Sequence, residues 1–418
     1  MLVKGKTQSI NSDNNKRNTL FTIAIFASFL IYGFYGNIKG PALPRMQADF
    51  NISELQLGFL LAMNSIGYLI ACSFTTTLAR IISIKTCLIS ALIIIIISGV
   101  CICFTPNYIV LVLSYSLLSI GGGMLEVSQN VIAATIFTGN TGTMMNLSHF
   151  FYGAGSIFSP VISTSLMMAK FGDQILSWRY LYLIVLSFAI IPLIPALFGR
   201  LEKRDYSAKK ANYGKILKNP LLWLIVLTLS FGLIGEMGVG AWFVNFLEKA
   251  HGFTVEKAAL QLTLFFVCLT ASRLIFGPLI DKIGLINSLA ISTAFSGLMI
   301  VIGVLIGEKG VVLLVIAGAG VAPIYPTGMA LISKLFAEEL DIAMTLVLTV
   351  MGILLAVSSF LLGGIVQLAR SLFTTADGVE NVGMAYAAGY IFLGVCCLIS
   401  FALVMKLRSN QKKADNLV

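Results

Sequence analysis

Charge is what this chain has least of. Only 11% of its 418 residues are Asp, Glu, Lys or Arg, and it has 2 histidines. So little ionisable surface cannot solvate a globular domain of this length. With 58% hydrophobic residues and a mean hydropathy of +0.94, the composition excludes an ordinary soluble fold. Also missing are a nucleophile motif, a phosphate-binding loop and any grouping with metal-ligand spacing, which argues against an enzyme and against a cofactor or metal. A sensor is disfavoured because neither tail carries a signalling domain. The seven cysteines (Cys72, Cys87, Cys101, Cys103, Cys268, Cys396 and Cys397) all lie in apolar stretches without an outward-facing pair, and read as small packing residues. The segment before Thr19 is rich in Asn, Ser and Lys and lacks the apolar core of a signal peptide, so it is expected to be a disordered tail.

What the chain has in quantity is long apolar sequence. A crossing takes roughly 20 residues, and twelve segments qualify: 19–43, 55–78, 86–104, 108–137, 143–169, 179–199, 220–247, 257–280, 286–306, 310–335, 342–369 and 383–406. Barrel strands would be short and alternating, whereas Ala91 to Val100 and Ile184 to Phe198 are nearly unbroken. The expectation is an all-α membrane protein of twelve transmembrane helices.

Basic residues set its orientation. Of the 28 Lys and Arg, 19 fall in the tails and the even-to-odd connections and seven in the opposite loops. By the positive-inside rule both termini are cytoplasmic. The net charge of +10 is then topological and not a nucleic-acid footprint. The densest cluster, RLEKRDYSAKK within 200–218, divides the chain almost evenly. The expected organisation is a tail (1–18), a six-helix bundle (19–199), a basic cytoplasmic linker (200–218), a second six-helix bundle (219–406) and a tail (407–418). Two glycine-rich, polar-interrupted spans, SIGGGMLEVSQNVIAATIF and AGAGVAPIYPTGMALISKLF, are each the fourth of their half. Interrupted helices at matching positions point to a central site between pseudo-symmetric repeats.

Only two of 18 acidic residues, Glu126 and Glu236, lie deep inside spans. An unpaired carboxylate in hydrocarbon is costly, so an acid there is a functional candidate by default. Around Glu126, Gln129 and Asn130 share its helical face, and Gly121 to Gly123 permit a close approach by a helix or a ligand. Glu126 binds substrate or a proton, or is a structural acid answered by a donor such as His149. Glu236 is flanked by Gly232, Gly235, Gly238 and Gly240, a density expected to weaken and break the helix. Trp242 fits either an aromatic face against a sugar ring or an interfacial anchor. Asn245 lies almost opposite Glu236 on regular spacing.

Five patches carry a family resemblance. GPLIDKIG, with Gly277, Asp281, Lys282 and Gly284 and with Arg273 one turn earlier, resembles the cytoplasmic gating loop of the major facilitator superfamily. The equivalent first-half loop, ARIISIKT, has neither Asp nor Gly. Within that superfamily the chain is similar to the fucose and glucose–proton symporters: Leu125-Glu126 with Asn130, Asn146 in MNLSHFFYGAGSIFSPVI, GEMGVGAWFVNFL, and GAGVAPIYPTGMAL. The resemblance implies the major facilitator fold, in two pseudo-symmetric six-helix bundles, and alternating access. Some fucose-type members have an Asp near the end of the first span. Here GNIKGPALP, with Asn37 and Lys39, has no acid, so proton coupling falls on Glu126, Glu236 or both.

The remaining cavity residues are His149 with Asn146 and Tyr152 on one stretch, Asn64 and Tyr325. His149 suits a proton relay or a satisfied hydrogen bond. Lys39 suits an anionic substrate or a snorkelling interfacial position. The function expected is secondary transport of a small neutral sugar or polyol across the cytoplasmic (inner) membrane, by proton symport. The alternatives are a proton-driven exporter of amphipathic compounds and a carrier of a small anionic metabolite. The expected partners are substrate, protons and lipid, and the short connections suggest a monomer.

Overall fold

An apolar run in lipid must satisfy its own backbone hydrogen bonds, and a helix does so within one segment. The computed structural model describes residues 2–136, 141–171, 174–199, 201, 217–336, 340–374 and 381–415. The described residues are almost wholly helical: α1 (Leu2–Asn37), α2 (Lys39–Phe50), α3 (Glu54–Ile82), α4 (Ile84–Cys103), α5 (Tyr108–Ile136), α6 (Thr141–Met168), α7 (Trp178–Ser187), α8 (Ile190–Phe198), α9 (Pro220–His251), α10 (Val255–Ile283), α11 (Leu285–Ile306), α12 (Val311–Val321), α13 (Ile324–Leu335), α14 (Leu340–Leu372) and α15 (Val382–Asp415). The one ribbon is antiparallel, β1 (Lys170–Phe171) against β2 (Gln174–Ile175), with Lys170 opposite Ile175.

Among the described residues, 10 stretches are long and apolar enough to cross a membrane. One of them, Leu285–Ile332, runs for 48 residues and takes in both the ninth and tenth expected spans. The fifth expected span is present as α6 but is not among the ten; it buries Ser148, Ser156, Ser159 and Ser163. Large apolar side chains such as Ile81, Phe104, Ile109 and Leu305 stand outward, as a lipid-solvated surface requires. The helical backbone of α1 continues through the polar segment 2–18, which contains no proline to stop it.

Prolines account for the interrupted spans. A proline lacks the N–H that would bond the carbonyl four residues earlier. Pro41 leaves Asn37 without that donor, and α1 gives way to α2 at Ile38. Pro192 does the same to Phe188, where α7 ends. Pro323 and Pro326 separate α12 from α13. Two expected interruptions are absent, because α5 is continuous through Gly121–Gly123 and α9 is continuous through Gly232–Gly240. The α9 glycines serve packing instead. A Cβ at Gly232 would sit 2.7 Å from Ile324, and one at Gly238 would meet Leu393.

The described residues form two compact units. One comprises Met1–Gly36, Gly67–Ser159 and Lys170–Ser207; the other comprises Asn37–Ile66, Pro160–Ala169 and Ala208–Val418. In the first, α1 and α6 cross in backbone contact at Gly33 and Gly155. A Cβ on Gly155 would lie 2.8 Å from the Phe34 nitrogen, and the Ser159 hydroxyl donates to the Phe34 carbonyl at 2.7 Å. The Tyr115 and Tyr182 hydroxyls are bonded to one another in the same interior.

Two pairs of residues with similar backbone conformations recur at the same spacing. Asn51 (φ 48°) ends α2 and Ser83 (φ 83°, ψ 149°) opens α4; Gly252 (φ 64°) ends α9 and Gly284 (φ 89°, ψ 148°) opens α11. Equal lengths of chain separate the members of each pair. Gly284 occupies the last position of the loop motif, where φ and ψ suit glycine alone. Ser83 takes up the same conformation with a side chain, and its hydroxyl accepts the Thr86 N–H at 3.3 Å. Such strain costs about 1–3 kcal/mol, while replacing a serine N-cap by glycine costs only a few tenths. Ser83→Gly is therefore expected to raise the melting temperature of the purified protein, and Gly284→Ala to lower it, in a thermal-shift measurement.

Candidate functional site

Glu126 lies on α5 where three consecutive glycines let neighbours close in. A Cβ at Gly121 would be 3.0 Å from Ile94 and Ile95, and one at Gly123 would be 2.8 Å from the Tyr68 carbonyl. The same closeness brings the Tyr68 hydroxyl to Glu126 Oε2, to which it donates at 2.6 Å. Tyr32, on α1, donates to the same oxygen. The Tyr32 ring lies 5.6 Å from that of Tyr35 and 5.4 Å from that of Tyr152. The Tyr35 hydroxyl fills the space that a side chain at Gly122 would take, and has no partner among the described residues.

Two phenols on one oxygen suit an ionised carboxylate, which only accepts. Each such bond to a charged group contributes about 1.5–3 kcal/mol. Among the described residues no group bonds Oε1, so the half-buried carboxylate retains an acceptor within a cluster of four tyrosines.

Asn130 turns its amide back to the Glu126 carbonyl at 2.8 Å. Gln129 is fully buried, with neither amide atom partnered among the described residues. His149 packs its ring 5.2 Å from Phe29. The side chain of Asn146 lies outside the described residues.

The second unit holds Glu236, 7% exposed, and the proline break determines its partner. Pro323 and Pro326 leave the carbonyls of Ala319 and Ala322 without their helical donors. Both carbonyls are answered from α10: Ser272 Oγ donates to Ala319 at 2.6 Å, and Arg273 Nε to Ala322 at 3.3 Å. Arg273 so anchored directs Nη2 to Glu236 Oε1 at 3.3 Å. The residue expected with the gating loop is thus the counter-ion of the buried acid. Tyr325 follows the break, half-buried at the start of α13. In the loop, Lys282 is exposed and Gly284 has its positive φ; the surroundings of Gly277 and Asp281 lie outside the described residues.

Trp242 and Asn245 belong to another part of this unit. Trp242 is 2% exposed with its ring 6.4 Å from Tyr386, which removes the lipid-interface reading. Asn245 is fully buried, donating to Gln47 Oε1 at 3.2 Å and accepting from Tyr386 at 3.2 Å. Asn37 closes α1 and is buried; Lys39 opens α2 and is half-buried. Tyr32, Tyr35, Tyr68, Glu54 and Tyr386 were not singled out from sequence. The available signal for the first three was a tyrosine within each of two neighbouring apolar spans. Glu54 looked like a loop residue, yet it is 3% exposed. Among the described residues, no group of three His, Cys, Asp or Glu could hold a metal ion.

Comparison with known proteins bears on the fold. A yeast protein, bypass of stop codon protein 6 of Saccharomyces cerevisiae, is 23% identical over 314 residues, which cover 67% of this chain and 61% of that one. Among solved structures, a bacterial homologue of the human lysosomal transporter Spinster superposes with a TM-score of 0.73 at 14% identity, covering 94% of this chain and 96% of that one. The nucleoside transporter NupG gives 0.73 at 16% identity (93% and 99%). The Escherichia coli fucose:proton symporter FucP gives 0.63 at 18% identity (92% and 98%). These identities carry the fold alone. The family model of the Major Facilitator Superfamily matches residues 24–306 and 233–417, together nearly the whole sequence. The chain belongs to the Major Facilitator Superfamily and is a multi-pass membrane transporter rather than an enzyme.

Proposed function

We propose that the protein is a proton-coupled symporter of a small neutral sugar or related polyol in the cytoplasmic membrane. It has twelve spans in two six-helix bundles (19–199 and 219–406) joined by the basic linker 200–218, with tails 1–18 and 407–418 cytoplasmic, and it works by alternating access as a monomer. The matching Asn51–Ser83 and Gly252–Gly284 conformations support the two-half organisation. The observation that carries the substrate class is the tyrosine cluster at Glu126. Phenol rings offer apolar faces to a sugar ring, while hydroxyls and a carboxylate oxygen offer directional partners to its hydroxyls.

Glu126 and Glu236 are the coupling residues in this reading. Protonation removes a buried charge and lets the loaded carrier reorient. Substrate contacts are assigned to Glu126, Gln129, Asn130, Asn146, His149, Tyr152, Glu236, Trp242, Asn245, Tyr325, Asn37 and Lys39. Gating at the cytoplasmic loop is assigned to Arg273, Gly277, Asp281, Lys282 and Gly284. The names of FucP and NupG, a fucose:proton symporter and a nucleoside transporter, agree with a hydroxyl-rich substrate. A second reading, a proton-driven exporter of amphipathic compounds, is favoured by the aromatic contacts Phe26–Phe151 and Phe29–His149 beside the tyrosines.

Uptake of labelled hexoses, deoxyhexoses, polyols and nucleosides into proteoliposomes, with and without an inward proton gradient, tests the reading. Gradient-stimulated uptake of one of them is expected, together with its loss in Glu126→Gln. Stimulation retained in both Glu126→Gln and Glu236→Gln removes the coupling assignment. If no member of the panel is taken up by folded protein, while expression confers resistance to toxic amphiphiles, the exporter reading replaces it. For the tyrosines, Tyr32→Phe and Tyr68→Phe are each expected to raise the KM for the transported sugar roughly tenfold or more, the equivalent of one hydrogen bond to a charged group.

A further inference from the structure

Another carboxylate, buried like that of Glu236, lies apart from the two acids described above. Glu54 opens α3, and two of the three side chains that bond it, Arg370 and Tyr386, come from distant parts of the sequence. Gln47 Nε2 donates to Glu54 Oε1 at 3.1 Å, Arg370 Nη1 at 2.6 Å and the Tyr386 hydroxyl at 3.4 Å. Asn245 bridges Gln47 and Tyr386 at 3.2 Å each. Gln367 Oε1 accepts the Leu55 N–H at 3.1 Å, and Arg45 pairs with Glu248 at 3.4 Å. These bonds tie the segment 37–66 to α9, α14 and α15 within one compact unit.

Three properties distinguish this cluster from ordinary packing. It is polar and charged where an apolar core would hold the helices more simply, and a buried ion pair is a poor source of net stability. Every one of its groups can exchange its protein partner for water on opening, so separation changes the hydrogen-bond inventory little. The helices beneath it are smooth: Gly58 and Gly363 meet backbone to backbone, a Cβ on Gly58 lying 2.7 Å from the Ser359 carbonyl and 3.0 Å from Gly363 Cα. At that crossing neither glycine has a side chain to withdraw as α3 and α14 part.

We propose that Glu54, Gln47, Asn245, Arg370 and Tyr386 form a reversible latch that holds segment 37–66 against α9, α14 and α15 and comes apart once in each transport cycle. In the orientation proposed above, this latch is the outer gate. The inference rests on the alternating-access part of that reading, not on the sugar. Its test therefore needs no substrate, and its failure is separable from failure of the substrate assignment.

Hydrogen exchange of the full-length protein in lipid nanodiscs, read by mass spectrometry, tests it. Glu54→Gln and Arg370→Gln are expected to speed exchange severalfold in peptides covering 46–58, 363–372 and 382–390, leaving 86–103 at the parent rate. Tyr386→Phe, which keeps the ring, is expected to speed the same peptides by a smaller factor. Unchanged exchange in all three variants overturns the latch. So does a uniform rise that includes 86–103, which marks these residues as general stabilisers.

Discussion

A charge placed inside a span has to be answered by the protein, because lipid cannot do it. Much of the described structure follows from how three carboxylates are answered. Glu126 receives two phenols, Glu236 an arginine, and Glu54 an arginine, an amide and a phenol. The three solutions differ in strength and in what they leave over. The two phenols on Glu126 share one oxygen and leave the other spare. A full counter-ion neutralises Glu236 and Glu54 in place, so their charges need not be solvated until the pairs separate.

The backbone supplies those answers through its defects. Prolines at the tenth span expose two carbonyls; serving them fixes Ser272 and Arg273, and fixing Arg273 determines where Glu236 finds its partner. Glycines on α5 do comparable work by removal of volume, since the approach of Tyr68 and Tyr35 depends on the missing side chains of Gly123 and Gly122. Residues with little chemistry of their own thus set the chemistry of their neighbours.

The helical membrane class could be read from hydropathy, and Glu126 and Glu236 stood out through the rarity of intramembrane acids, because both signals are local. Pairings were not legible, since Arg273 lies 37 positions from Glu236 and Tyr32 94 positions from Glu126. Glu54 escaped notice because nearness to a loop in sequence says nothing about what the rest of the fold puts over it. Glycine density misled on the seventh span: in isolation it predicts a broken helix, but tertiary contacts with Ile324, Leu393 and Cys397 reward the bare backbone and keep α9 whole. Proline, which removes a bond outright, accompanies the break between α12 and α13, yet α6 and α8 run on through Pro160 and Pro195.

The continuity of α9 has a mechanical consequence. Glu236 and Asn245 sit on one unhinged helix, nine residues apart, about 13 Å along its axis at 1.5 Å per residue. A rod of that kind cannot absorb torsion between its ends. Any roll of α9 that alters the Glu236–Arg273 pair must also turn Asn245 under Gln47 and Tyr386, so the two ends keep time with each other without any relay of side chains between them.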